Sequence, residues 1–228
     1  MRLHRFYVGN DLELKHDFWL HDERLLNQWN RVLRFRIDQD VILFNDTHER
    51  LYKIVEIKPN EAHLQHVTDF ERKLPSKDIY LLWSLLKKDK NDWVLQKCTE
   101  LGVSHFIPLL ADRSEKTGFN SDRAEKIVIE AAEQCGRSDI PNVREPMLVE
   151  TAIEELASKI VLFICEQDGD EKSADSSQST GVLIGPEGGW SENEKSLFTE
   201  KGVKHLNLHD FTLRAETAAL AATTKLIH

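Results

Sequence analysis

Three of the chain's ten glycines fall in one short stretch, Gly185-Pro186-Glu187-Gly188-Gly189-Trp190-Ser191-Glu192-Asn193-Glu194. It follows an apolar run directly, and Ser191 and Glu194 have the S-x-x-E spacing of a capping box, so a helix starts there. Glycine lets a backbone turn sharply and approach a ligand closely. In open α/β sheets ligands bind at the carboxyl ends of the strands. The Lys-Ser/Thr of a P-loop is missing, and the spacing is not GxGxxG. A second cluster runs Leu206-Asn207-Leu208-His209-Asp210-Phe211-Thr212-Leu213-Arg214-Ala215-Glu216 into an alanine-rich helix. Ala215, Ala218, Ala219 and Ala222 form a stripe suited to tight helix packing or a homodimer seam. Glu216 suits the positive end of the helix dipole, whereas Arg214 does not, which points to a role for Arg214 outside the helix. The third cluster, Glu130-Ala131-Ala132-Glu133-Gln134-Cys135-Gly136-Arg137-Ser138, ends a helix at a glycine. It places Gln134 and Arg137 at the mouth of a loop. Arginine suits phosphate contact and base stacking. Cys135 reads as a small buried filler.

These clusters need elements to hold them. Residues 79–83, 105–109, 160–165, 182–185 and 204–208 read as strands. Residues 92–101, 122–134, 151–157, 192–201 and 214–226 read as helices. Gly102 is placed to stop the first helix, Pro108 to end its strand, and Thr151 to cap the helix 151–157. This alternation predicts an α/β fold with a mostly parallel sheet covered on both faces. The polar residues 168–180 read as a loop. Toward the N-terminus, residues 3–8, 40–45, 52–58 and 62–68 read as strands. Residues 22–33 read as a helix, with Leu25, Leu26, Trp29, Val32 and Leu33 at helical spacing. Strands divided by turn residues predict a small barrel or sandwich. The charged run around Pro75 marks the boundary, giving domains 1–70 and 71–228.

With 40% hydrophobic and 30% charged residues, the 228-residue chain is neither a disordered nor a fibrous sequence. No apolar stretch approaches the ~20 residues of a bilayer span. The first residues lack the apolar core of a secretory signal. A cytoplasmic protein without a membrane partner is expected. Cys98, Cys135 and Cys165 are widely spaced with no CxxC, and no HExxH occurs, so neither a disulfide framework nor a metal site is expected. A net charge of −9 argues by itself against a nucleic-acid partner. Yet residues 1–36 hold seven Lys/Arg against five Asp/Glu, and Arg31, Arg34 and Arg36 crowd into six positions. That permits a basic patch on an acidic body.

The clusters, in this order, resemble the ribosomal RNA small subunit methyltransferase E family of the SPOUT class. The likeness extends to Arg5-Phe6-Tyr7-Val8, Val32-Leu33-Arg34, Lys97-Cys98-Thr99-Glu100-Leu101-Gly102-Val103, Arg113-Ser114 and Pro141, and so covers nearly the whole chain. It implies a PUA-like, barrel-like RNA-binding domain followed by an α/β domain with a deep trefoil knot. It also implies S-adenosylmethionine as methyl donor, a homodimer through the knotted domain, and methylation of N3 of one uridine in 16S rRNA or the small ribosomal subunit. The chain departs from the family's pattern at His209, where glycine is usual, and at Phe211, often arginine. It departs also at Gln28-Trp29-Asn30-Arg31 and Gln39-Asp40.

The resemblance assigns site residues. The donor is expected against Leu162, Phe163, Ile164, Gly185, Glu187, Gly188, Leu208, Thr212 and Leu213. Arg214 and Arg137 are candidates for stabilising negative charge on the uracil and for positioning phosphate. Glu216 and Glu133 are candidates for the base, or for orienting an arginine. Arg2, Arg5, Arg31, Arg34 and Arg113, with Gln134, are expected on the RNA. The alternatives are a knotted methyltransferase acting on a tRNA base or a ribose 2′-hydroxyl, and a non-catalytic RNA-binding assembly factor.

Overall fold

A computed structural model describes residues 3–115, 118–165 and 178–227. It divides into two compact units: Met1–Leu74 with Ala132–Ile140, and Pro75–Ala131 with Pro141–His228.

The first unit is built on a five-stranded sheet of β1 (His4–Tyr7), β2 (Asp17–Leu20), β3 (Asp40–Phe44), β4 (Glu49–Ile57) and β5 (Ala62–Asp69). Its order is β1-β3-β4-β5-β2, with β1 parallel to β3 and the other pairs antiparallel. The four-residue β2 was too short to show an alternating pattern in the sequence. The helix expected over 22–33 is α1 (Glu23–Asn27), capped by the Asp22 carboxylate on the Leu25 N–H, and it continues as a π-helical turn, Gln28–Leu33. That turn buries Trp29 completely and leaves Arg31 and Arg34 exposed. Trp29 packs on Phe6 and Phe35 at 5.3 and 5.7 Å.

The second unit carries β6 (Ile79–Ser84), β7 (His105–Leu110), β8 (Asn142–Val143), β9 (Met147–Leu148), β10 (Val161–Cys165), β11 (Thr180–Ile184) and β12 (Lys204–Leu206). All pairings are parallel, in the order β12-β10-β11-β6-β7-β8, with β9 also on β7. Pro108 does not end β7: it pairs with Trp83 inside the ladder. On the other side of β7, β8 meets His105 and Phe106 while β9 meets Leu109 and Leu110, so the missing N–H falls in a gap.

The helices are α2 (Lys88–Glu100), α3 (Ser121–Cys135), α4 (Val149–Leu156), α5 (Glu192–Glu200) and α6 (Ala215–Ile227). Thr151 lies within α4, whose start has no side-chain cap. Side chains alternate across the strands. Leu82, Ile107, Ile164 and Leu183 share a core with Ile153 of α4 and Phe198 of α5, while α6 packs against α2, β6 and β11. The alanine stripe is thus used at least in part inside the unit, with Ala219 and Ala222 buried. Residues 168–177 of the expected loop lie outside the described residues, as does Arg2.

Candidate methyl-donor site

Strands β6, β10 and β11 are parallel neighbours, so their carboxyl ends open on one edge. Between β11 and β6 the connections run to opposite sides of the sheet, which is where such sheets leave a crevice. β11 ends in the turn 185–190. Each glycine there has an internal reason. A Cβ on Gly185 would stand 3.0 Å from the Trp190 ring, and one on Gly188 would stand 3.3 Å from the Arg113 Cβ. Gly189 has φ +68°, a left-handed conformation that side chains resist. The chain passes close to itself at this turn.

The capping box forms as the sequence predicts: the Ser191 hydroxyl accepts the Glu194 N–H at 3.2 Å, and the Glu194 carboxylate accepts the Ser191 N–H at 2.7 Å. Glu194 does more than cap. Its other oxygen accepts the Asp112 N–H at 3.0 Å, and the Ser191 hydroxyl donates to the Asp112 carboxylate at 2.5 Å. Next along, Arg113 Nη1 donates to the Gly188 carbonyl at 3.1 Å. Arg113 therefore braces the turn. A hollow of ≈ 380 Å³ opens between this turn and Leu85, Leu86 and Lys87.

The neighbouring cleft, of ≈ 410 Å³, is walled by Cys165, Leu208, His209, Phe211, Thr212, Leu213 and Ala218. Its mainly apolar walls, with a few polar groups at the rim, suit the flat faces of a nucleoside. Leu208, Thr212 and Leu213 meet here. Leu162, Phe163 and Ile164 are buried within β10, just before Cys165. Burial pushes the Cys165 thiol up to about 12, so it stays protonated beside the cleft. The two departures from the family pattern form a pair on the rim. The His209 and Phe211 rings stack at 5.1 Å, and the Phe211 N–H donates to His209 Nδ1 at 3.1 Å.

Glu216 lies in the first turn of α6, and Arg214 stands exposed just before it. The residue that joins this wall to the glycine-rich turn is one the sequence did not single out. Lys90, in the first turn of α2, places its Nζ 3.2 Å from Glu187 Oε1 and 3.3 Å from Glu216 Oε2. The hydrogen bond to Glu187 holds the Lys90 ammonium above its ordinary pKa, with Glu216 adding to it. Asn91, the next residue, is buried. Its Oδ1 accepts from Trp83 Nε1 and the Leu86 N–H, and its Nδ2 donates to the Leu86 carbonyl. This fixes the β6–α2 turn.

Glu133 and Arg137, grouped with Arg214 and Glu216 in the sequence, belong to the first unit. Glu133 Oε1 accepts the Tyr7 N–H at 2.9 Å. Arg137 is 7% exposed and pairs with Asp139 at 2.6 Å. Arg5 holds Glu49 through two bonds, at 2.7 and 3.2 Å, and its Nη2 donates to the Arg137 carbonyl. The Ser138 hydroxyl also donates to Glu49. Gln134 is exposed, as is Cys135, contrary to its reading as a buried filler. Arg31 and Arg34 are exposed beside Val32.

Comparison with known proteins agrees with this architecture. Residues 72–227 match the RNA methyltransferase domain family, and residues 31–65 match the RNA methyltransferase PUA domain. The class is therefore that of RNA methyltransferases, with a parallel α/β catalytic domain and a PUA domain. The ribosomal RNA small subunit methyltransferase E of Aquifex aeolicus is 30% identical over 87% of this chain and 89% of its own. The chain belongs to the ribosomal RNA small subunit methyltransferase E family. The crystal structure of the Neisseria gonorrhoeae member bound to S-adenosyl methionine is similar, with TM-score 0.86 and 27% identity over 97% of this chain and 95% of that one. A putative methyltransferase from Legionella pneumophila, also with bound cofactor, has TM-score 0.87 and 26% identity over 99% and 97% of the two chains.

Proposed function

We propose that this protein methylates N3 of a uridine in 16S rRNA, with S-adenosylmethionine as donor, as a homodimer whose catalytic domain carries a deep trefoil knot. The observation that supports the reading most strongly is that a single lysine touches both the glycine-rich turn and the first turn of α6. These two stretches then form one site at the carboxyl edge of the sheet. Leu208, Thr212 and Leu213 would hold the donor in the apolar cleft, beside the ends of β10 and β11. When bound, the donor supplies a methyl group made electrophilic by its sulfonium.

The chain's own residues then have two tasks. Uridine N3 carries a proton and is a weak nucleophile until the proton leaves, so the site must stabilise a developing uracil anion or remove the proton. Arg214, exposed at the start of α6, is assigned to the anion. Glu216 is assigned to the proton, or to orienting the arginine. Glu133 and Arg137 are assigned to holding the segment 132–140 within the first unit, where their side chains are engaged. N3 lies on the Watson–Crick edge, so the uridine must be unpaired or extruded.

The test is methyl transfer from labelled donor to purified small subunits and to naked rRNA, with the modified nucleoside identified. The expected product is 3-methyluridine. A 2′-O-methylated nucleoside, or transfer to tRNA alone, overturns the substrate. Failure of the chain to bind the donor overturns the whole reading.

A further inference from the structure

Transfer of a methyl group demands that the two walls of the donor site keep a fixed spacing, because positioning supplies much of the rate. One wall is the turn after β11; the other is the segment leading into α6. They are separated in the chain by α5 and β12, and α6 also packs against β11 and β6. We infer that Lys90 is a positioning residue that sets this spacing, by pairing at once with Glu187 on the glycine-rich turn and Glu216 on α6. The inference rests on the methyl-transfer reading for its purpose, though not for its geometry.

Three observations carry it. First, Lys90 stands in the first turn of α2, where the helix dipole disfavours a cation, so its own helix gives no reason for a lysine there. Second, Glu216 Oε2 is shielded from solvent and accepts no well-aligned hydrogen bond, so the ammonium 3.3 Å away is the charge that compensates it. Remove that charge and the shielded carboxylate is left uncompensated, which favours its turning outward and loosens its hold on the start of α6. Third, the base of Lys90 is rigid, because Asn91 locks the turn that precedes α2 with three hydrogen bonds. A flexible side chain on a fixed base can span two partners without wandering. Arg113 also grips the glycine-rich turn, at the Gly188 carbonyl, yet it makes no hydrogen bond or ion pair with α6 among the described residues. Among the described residues the ion-pair link between the walls therefore falls to Lys90.

The test uses the full chain, with Lys90→Met, Lys90→Arg and Glu187→Gln. Hydrogen exchange of the ligand-free protein is the first readout. Lys90→Met should speed exchange about tenfold or more in both 185–191 and 207–215, while β6 stays protected. Lys90→Arg should restore most of the protection. Glu187→Gln should loosen 185–191 alone. Titration with S-adenosylmethionine is the second readout: Lys90→Met should raise the dissociation constant about tenfold, and the single-turnover rate at saturating donor should fall by less than that. Unchanged exchange in either segment, or an unchanged dissociation constant, overturns the inference. If Lys90→Met does not fold, Glu187→Gln decides: normal exchange in 185–191 overturns the inference. Should the wild type bind no donor, the methyl-transfer reading falls, and the ligand-free exchange still tests the clasp.

Discussion

Arg214 is the side chain whose chemistry is least explained by packing. It is exposed, and its guanidinium has no hydrogen bond or ion pair among the described residues, while its carbonyl starts α6 by accepting the Ala218 N–H at 2.8 Å. Truncation therefore removes a charge without opening a cavity. Arg214→Ala should lower kcat by about 10²–10³, the usual cost of losing one donor to a developing anion. Donor affinity and melting temperature should stay as in the wild type; unchanged turnover would remove Arg214 from the chemistry. The thiols give a second prediction at this scale. Burial pushes both Cys98 and Cys165 up to about 12 from 9.0, with a hydrogen bond from Thr223 partly opposing it at Cys98. Cys135 is exposed. Iodoacetamide at pH 8 should thus label Cys135 and spare the other two. The same shifts fix the sign of an alkaline effect. Between pH 9 and 12 the unfolded chain loses these protons and the folded one keeps them, so stability falls as pH rises, by about 1.4 kcal/mol per unit for each thiol. Urea unfolding at pH 8 and 10.5 should show a smaller drop in Cys98→Ala/Cys165→Ala than in the wild type.

The legibility of elements in the sequence followed the range of the interactions that make them. The Ser191–Glu194 capping box spans three residues and was readable outright. Glu194's second bond, to the Asp112 N–H, joins positions 82 apart and was not. Lys90 is illegible in the sequence for the same reason: its partners lie on other elements, and a lysine in a charged helix start looks like a solvated face. Pro108 sits inside β7 because a proline is a strand breaker only where a ladder needs its N–H, and the gap between β8 and β9 needs none. Thr151 caps nothing, because α4 starts two residues earlier, without any side-chain cap. Asn91 shows how much one such long-range residue carries. It satisfies the buried Trp83 Nε1 at 2.9 Å and both polar backbone groups of Leu86. Asn91→Ala leaves these groups without partners at about 1–3 kcal/mol each, less whatever water recovers. A loss of about 3 kcal/mol in unfolding free energy is expected by urea titration. Asn91→Asp should recover part of it, because a carboxylate still accepts from Trp83 and Leu86 but offers no donor to the Leu86 carbonyl. A loss below about 1 kcal/mol would show that the β6–α2 turn is held by other means.

At the scale of the molecule, the question is how a chain of net charge −9 engages a polyanion. The distribution answers it. Arg5 and Arg137, readable in the sequence as RNA contacts or catalytic groups, have their charges met inside the first unit by Glu49 and Asp139. Arg31, Arg34 and Arg36 are different. They sit on and just after the π-helical turn, exposed, with no acidic partner among the described residues, beside the exposed Val32 and Ile37. The matched PUA segment begins at this turn. An RNA held by this arginine patch binds with an affinity that falls with salt, since each neutralised phosphate contributes about 0.7–0.9 to the slope. Arg31→Glu/Arg34→Glu should therefore weaken rRNA binding at every salt concentration and reduce that slope by about 1.4–1.8. Donor affinity should not change, because the donor cleft is built wholly from the second unit. Measuring RNA binding across 50–200 mM salt alongside a donor titration separates the outcomes. An unchanged slope would place the phosphate contacts elsewhere on the chain. Equal loss of RNA and donor binding would mean that the two units do not divide the work.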